Sequence, residues 1–381
     1  MSGAPRRSLR IVWDVSPLSV PPTGIGTYIR ESLAAAARLR PEHRFVALSV
    51  GGRNESVRLA EHLGGLPEAI ERRHRRVRGA APLRRLLNSA PLPLLEPLAG
   101  RCDAFVDSEW LYPRQRHGVR VAVVHDLIPL RFPEWTTAPT RRMHLRKLDD
   151  VRRADAVVTN SAATARDVAE RLGIPEQRLH VAHPGVADAF RTAVPASPGP
   201  AGGRPYVVAV GTLEPRKNLP ALLDAYALVR RDLPELALVL VGGQGWGGDP
   251  VAQRAAELGL GDDLVRTGYL PQGALPGVVA GARAFCWPTL FEGFGMPVAE
   301  ALAAGVPVVC SDDPSLDEAA GVAAWRAPAG DPEAIAGAIR RAVVDDAERA
   351  RRIAAGRAHA ATLTWEACAT VFVETIEGLA R

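Results

Sequence analysis

Glu292 and Glu300 stand with seven residues between them, and the stretch they bracket, Gly293-Phe294-Gly295-Met296-Pro297-Val298-Ala299, is built to turn and then enter a helix. Pro297 suits a first helical position, because its fixed φ is helical and its missing N–H has no intrahelical partner to lose there. Glu300 then falls in the first turn, Gly305 marks the stop, and Val306-Pro307-Val308-Val309-Cys310 reads as the next strand. A helix start presents unpaired N–H groups and a positive dipole end, which together favour a phosphate. Carboxylates beside such a start do not bind the phosphate. They accept hydrogen bonds from hydroxyls, as a sugar or a ribose offers. The plainer reading of the same spacing makes Glu300 a dipole-favoured helix residue and Glu292 a loop charge.

Other residues of the right type stand where strands end. Arg216 and Lys217 follow the strand 206–210 and the turn that starts at Gly211, a place from which cations can meet a diphosphate. His125 and Asp126 follow the apolar strand 119–124. In open α/β sheets the ligand crevice lies beyond the carboxyl ends of strands, so His125 is a site candidate and Asp126 its orienting neighbour. Gly24-Ile25-Gly26 joins the strand 11–15 to an Ala-rich helix over 29–39, and glycine lets backbone come close to a ligand there. That pair lacks the third glycine of the dinucleotide fingerprint, which sets nicotinamide cofactors aside.

The elements that carry these residues alternate, strand then helix, twice over, which predicts two α/β units with parallel sheets covered on both faces. The Pro/Gly/Ser/Ala-rich segment 192–204 divides them. The expected layout is a first domain over 1–191, a linker over 192–204, a second domain over 205–362 and a final helix over 363–381. A ligand is expected between the domains.

Taken with these surroundings, the Glu–seven residues–Glu stretch with Gly-Phe-Gly inside it resembles the signature of retaining glycosyltransferases of family 4. Its similarity extends to Gly24-Ile25-Gly26, to the run from His125 through Trp135, to His180-Val181-Ala182-His183-Pro184-Gly185 and to Lys217. The resemblance implies the GT-B fold: two Rossmann-like domains facing across a cleft, with the last helix returning to the first domain. It implies transfer of a hexose from a nucleotide-diphosphate sugar to an acceptor hydroxyl, with retention and without a metal or other cofactor. Carried over residue by residue, Glu292, Lys217 and His125 serve catalysis, with Glu292 facing the donor sugar. Glu300 holds the ribose, and the backbone of Phe294, Gly295 and Met296 holds the diphosphate. Tyr269 and Leu270 contact the base, while Gly24 and Gly26 face the donor phosphate. The family's arginine directly after the turn glycine is replaced here by Thr212, and Arg216 is the residue nearby that can supply the charge. The subgroup leans toward a GDP-linked hexose such as mannose, with UDP- and dTDP-linked sugars as alternatives. The acceptor is a glycan, a lipid-linked glycan or a natural product.

Composition bounds the rest. A chain of 381 residues, 47% hydrophobic and 23% charged, has room for two globular domains. It contains no apolar run of about 18 residues, so no membrane span is expected. The basic start runs into a strand-like segment with no apolar signal core, which predicts a cytoplasmic protein. Four cysteines, Cys102, Cys286, Cys310 and Cys368, are scattered and read as buried thiols. The pairs Asp149-Asp150 and Asp312-Asp313 lack the Asp-x-Asp form of a metal site. Net charge is +5, and the region 53–99, expected to be irregular, carries Arg72, Arg73, Arg75, Arg76, Arg78, Arg84 and Arg85. That segment is either a solvated face or a peripheral contact to an anionic membrane or acceptor. It has no aromatic residues for stacking on bases, so nucleic acid is not expected as a partner. A GT-B nucleotide-sugar hydrolase or epimerase remains the nearest alternative, and a non-catalytic basic anion- or nucleic-acid-binding protein the remote one.

Overall fold

The structure is a computed structural model that describes residues 7–21, 23–108, 110–245, 248–271 and 273–380. The basic start, apart from Arg7, lies outside them. The chain forms two units: one runs to Gly185 and takes in the stretch from Trp365 onward, and the other is Val186–Thr364.

The first unit holds seven parallel strands: β1 (Arg10–Asp14), β2 (Arg44–Gly51), β3 (Glu71–Arg76), β4 (Ala104–Asp107), β5 (Val119–Val124), β6 (Ala156–Thr159) and β7 (Leu179–Val181), in the order β3-β2-β1-β4-β5-β6-β7. Their β-branched, apolar runs are buried throughout β4, β5 and β6, as strands covered on both faces require. Order reverses at the β1/β4 pair, the switch point where ligands of such sheets bind. The last helix, Trp365–Leu379, packs on the first one, Gly24–Leu39, through Trp365 and Phe372 against Tyr28.

Two expectations for this unit change. The region 53–99 is ordered as helix Arg53–Leu63, strand β3, helix Ala80–Ser89 and helix Leu95–Ala99. β3 reads Glu-Arg-Arg-His-Arg-Arg, with no apolar alternation to reveal a strand; it is an edge strand, where charge is tolerated and discourages further pairing. Arg73 and Arg75 donate to the carbonyls of Ala99 and Leu98, and Arg84 to Val50 O and Glu55. Gly24 and Gly26 lie in the first helical turn and not in a loop before it. Thr23 is the N-cap, its Oγ1 accepting from Gly26 N at 3.1 Å, so the helix begins before the first apolar residue that announced it.

The second unit holds six parallel strands: β8 (Tyr206–Val210), β9 (Ala237–Val241), β10 (Leu264–Gly268), β11 (Ala284–Trp287), β12 (Val308–Ser311) and β13 (Trp325–Ala327), in the order β10-β9-β8-β11-β12-β13. Its switch point lies between β8 and β11. Apolar residues of alternating strand faces form a core on each side, one including Val208, Val239 and Phe285 and the other Val207, Leu238 and Cys286. Segment 192–204 belongs to this unit, where Ala196 N donates to Gly277 O at 2.9 Å and Ala201 is buried. Helices Pro332–Val344 and Asp346–Thr362 complete it. All four cysteines are buried and free.

Candidate functional site

Two turns leave the switch point of the second unit. After β8, Gly211 has φ +153°, and a Cβ there would meet Trp287 Cη2 at 2.6 Å. Gly242, at the end of β9, is tighter still: a Cβ would lie 2.0 Å from Gly211 O. The Trp287 ring against Gly211 and the Gly211 backbone against Gly242 therefore favour glycine at both positions. The chain then makes the 3-10 turn Pro215–Lys217, which Asn218 ends in the left-handed region, φ 55°, donating from Nδ2 to Pro288 O and Ala329 O. The turn after β11 is tied to the first one, with Leu290 N donating to Arg216 O at 2.8 Å and Thr289 Oγ1 to the same oxygen at 2.9 Å.

Those ties bring Glu292 onto the cations. Arg216 Nη1 donates to Glu292 Oε2 at 2.6 Å, and Lys217 Nζ to Oε1 at 2.5 Å. Trp287 Nε1 donates to Oε1 at 3.2 Å, Thr289 Oγ1 lies 3.2 Å from the same oxygen with its proton directed to Arg216 O, and Glu292 N donates to Ser315 Oγ at 3.0 Å. Lys217 Nζ also stands 4.6 Å from the centre of the Trp287 ring. Glu214 faces the same pair, with Oε1 2.7 Å from Arg216 Nε. Burial alone would raise the Glu292 carboxyl, but Arg216 and Lys217 outweigh it and hold the group at about 2. Burial, aided by Arg216 and opposed by Glu292 and Glu214, lowers Lys217 from its ordinary value.

The helix of the glutamate stretch is Met296–Ala303, with Gly295 as its N-cap at φ +96°. It begins one residue before Pro297, which leaves Glu300 just past the first turn and out of the dipole's strongest reach. Burial lifts the Glu300 carboxyl to about 7. The two glutamates, alike in sequence, thus shift in opposite directions: Glu292 is held as an anion by its cations, and the half-buried Glu300 is moved toward its neutral form. Phe294 is buried, Met296 half-buried, Thr212 exposed; Tyr269 is exposed at the end of β10, and Leu270 packs half-buried on the core.

In the first unit His125 follows β5 and is buried, its ring edge-on to Tyr28 with centroids 5.1 Å apart and planes at 88°. Tyr28 OH donates to Ala182 O at 2.9 Å, which fixes the ring that His125 rests on. Asp126 Oδ1 accepts from Ile128 N at 2.9 Å, a local turn that leads into the short helix Ile128–Arg131. Beneath lies a buried charged network. Asp14 accepts from Ser108 Oγ at 2.7 Å and Leu111 N at 3.1 Å. Lys147 Nζ donates to Ser108 O and Val123 O, and Arg120 pairs with Asp107 at 3.4 Å and Asp150 at 2.7 Å. Burial, opposed by Arg120 and Lys147, lifts Asp107 to about 7. Among the described residues, Glu42, His43 and Glu377 are close enough to share a metal ion, but Arg40 Nε already donates to Glu377 Oε1 at 2.9 Å.

Sequence reasoning missed Glu214, Trp287, Thr289 and Ser315 around Glu292, and Tyr28 beside His125. Glu214 and Tyr28 stood next to motif residues and were open to notice. Trp287 reads as the end of an apolar strand, and Ser315 as loop.

Two family models match, "Glycosyltransferase Family 4" over residues 22–190 and "Glycosyl transferases group 1" over residues 190–359. The O-antigen chain mannosyltransferase B of Escherichia coli is 29% identical over 385 residues, covering 95% of this chain and 98% of that one. The GDP-mannose-dependent alpha-(1-6)-phosphatidylinositol monomannoside mannosyltransferase of Mycolicibacterium smegmatis is 32% identical over 242 residues, 58% of this chain and 56% of that one. In structure, HepE of Anabaena, solved in complex with UDP and glucose, superposes with a TM-score of 0.71 over 97% of this chain and 100% of that one, at 19% identity, a likeness of fold. With two parallel sheets, the returning C-terminal helix and both family models in consecutive halves, the chain is a GT-B glycosyltransferase and belongs to glycosyltransferase family 4.

Proposed function

We propose that the protein transfers a hexose, with retention and without a metal, from a nucleotide-diphosphate sugar to an acceptor hydroxyl, and that the donor is GDP-mannose or a close analogue. The observation that carries this reading is the geometry of the glutamate stretch: Glu292 bound by Arg216 at 2.6 Å and Lys217 at 2.5 Å, and Glu300 on the helix that starts at Met296. The mannosyltransferase relatives support the choice of donor, and one of them is named for GDP-mannose. The UDP and glucose of the structural neighbour keep a UDP-sugar as the second donor to test.

In this reading the diphosphate meets the amides of Phe294, Gly295 and Met296 and the helix end behind them, with Lys217 and Arg216 stabilising the charge that grows on the leaving group. Glu300 accepts from the ribose hydroxyls, Tyr269 and Leu270 contact the base, and Thr212 borders the diphosphate. Glu292 has about four acceptor positions. Lys217 and Trp287 donate to Oε1 and Arg216 to Oε2, so a sugar hydroxyl meets Glu292 at the second position of Oε2 or by replacing one of these donors. Attack comes from the front face through an oxocarbenium-like state. His125, on its Tyr28 rest, contacts the sugar, and Gly24 and Gly26 place backbone beside the donor phosphate.

The unit that runs to Gly185 forms the acceptor side and Val186–Thr364 the donor side, with the helix from Trp365 onward belonging to the first. The acceptor is a glycan, a lipid-linked glycan or a natural product. No helix among the described residues is long and apolar enough to cross a membrane. Peripheral contact from the cytoplasmic side fits the exposure of Arg76, Arg78 and Arg85 and of Leu86 and Leu92, the two leucines each 61% exposed. The test is a melting-temperature screen of GDP, UDP, dTDP and their sugars, followed by transfer assays with the best donor. Donor consumption indifferent to every acceptor favours a hydrolase or epimerase instead.

A further inference from the structure

Glu214 has no part in the mechanism just described. It occupies the turn after β8, its Oε1 2.7 Å from Arg216 Nε and 4.0 Å from Lys217 Nζ. Glu292 takes the other side, with Oε2 2.6 Å from Arg216 Nη1 and Oε1 2.5 Å from Lys217 Nζ. The guanidinium of Arg216 is therefore held between two carboxylates, and all four side chains are half-buried or buried, where charges interact strongly. Two cations and two anions cancel.

A diphosphate thus arrives at a cluster whose cations are already compensated, and its attraction is correspondingly reduced. The reduction is not equal for donor and product. In the donor the terminal phosphate is esterified and carries about one charge, whereas in the product it is free and carries about −1.5 to −2 at neutral pH. Uncompensated cations would favour the product more than the donor.

We infer that Glu214 is a positioning residue that holds Arg216 toward Glu292 and so lowers the site's affinity for nucleoside diphosphate product, promoting its release. The inference rests on the reading of Arg216 and Lys217 as diphosphate ligands. Glu214→Gln keeps the shape of the side chain and removes its charge, and Glu214→Asp restores the charge. Glu214→Ala removes the same charge with a shorter side chain and serves if the Gln variant does not fold.

The experiment is calorimetric titration of GDP and UDP into each protein at low and high ionic strength, with steady-state kinetics alongside. Glu214→Gln is expected to tighten diphosphate binding about three- to tenfold at low salt, a gain that shrinks at high salt. Its kcat and KM fall together, while Glu214→Asp returns all values toward wild type. Glu214→Ala also tightens binding. If the folded variants bind the diphosphate no tighter than wild type, the inference is wrong while the donor site stands. If Lys217→Ala does not weaken binding either, both fall.

Discussion

Lys217 Nζ lies 2.5 Å from Glu292 Oε1 and 4.6 Å from the centre of the Trp287 ring, so this cation is held by a carboxylate and an aromatic face before any substrate arrives. A preset charge of this kind costs no reorganisation when the leaving group departs.

Glu292 should be needed for turnover more than for nucleotide binding. Glu292→Ala is expected to lower kcat by about two orders of magnitude or more, with a smaller change in nucleotide affinity. Glu300→Ala should instead weaken donor binding. The pH dependence of stability adds a check. The Glu292 carboxyl titrates at about 2 in the folded protein against an ordinary 4.5. Its stabilisation is therefore present above pH 4.5 and lost as pH falls toward 2, a loss of about 3 kcal/mol. Denaturant titrations of wild type and Glu292→Gln between pH 5 and pH 2 should differ by that order.

Glu300 has the opposite sign. Its folded value of about 7 exceeds the ordinary 4.5, so the folded state favours the neutral carboxyl and loses that advantage as pH rises through 7. Glu300→Gln should melt higher than wild type at pH 8 and close to it at pH 5. Hydroxyls donating to the carboxylate favour its ionised form. Nucleotide binding near pH 6.5 should then release protons, read from calorimetry in buffers of different ionisation enthalpy, and Glu300→Gln should abolish the release.

Gly295 cannot accept a side chain without cost. Its φ of +96° is strained for any L-residue, and a Cβ would meet Leu316 Cδ2 at 2.5 Å. Gly295→Ala is expected to lose about 1–3 kcal/mol of stability. It should also weaken nucleoside diphosphate binding, because the same residue sets the direction of the helix-start amides. Melting curves with and without GDP measure both effects.

Tyr28 is expected to act on His125 through its ring and not its hydroxyl. Tyr28→Phe removes the bond to Ala182 O, worth about 1 kcal/mol of stability, and should leave kcat near wild type. Tyr28→Leu removes the edge-on contact and should lower kcat with little change in donor KM. Equal kinetic effects of the two substitutions would contradict this division.

Much of the candidate site could be read along the chain because its parts are local. Gly295, Met296 and Pro297 announce a helix start by their own φ preferences, and Glu292 and Glu300 sit at fixed offsets from it. Strand ends located His125 and Lys217. What sequence could not reveal is contact across the fold. Glu292 meets Arg216 and Lys217 because β8 and β11 are neighbours at the switch point, and no spacing along the chain encodes that pairing. The charge states of the two glutamates follow from those contacts and were equally hidden. β3 escaped for another reason: a strand whose six residues are all charged or histidine carries no apolar period, and only register with β2 defines it.

The most direct measurement is the melting temperature of wild type and Lys217→Ala with saturating GDP, UDP and dTDP. A donor site at Glu292, Glu300 and Lys217 requires that at least one nucleotide, GDP first, raise the wild-type melting temperature by several degrees while the variant responds weakly. A wild-type protein that none of the three stabilises, or a variant that responds as fully as wild type, would contradict it.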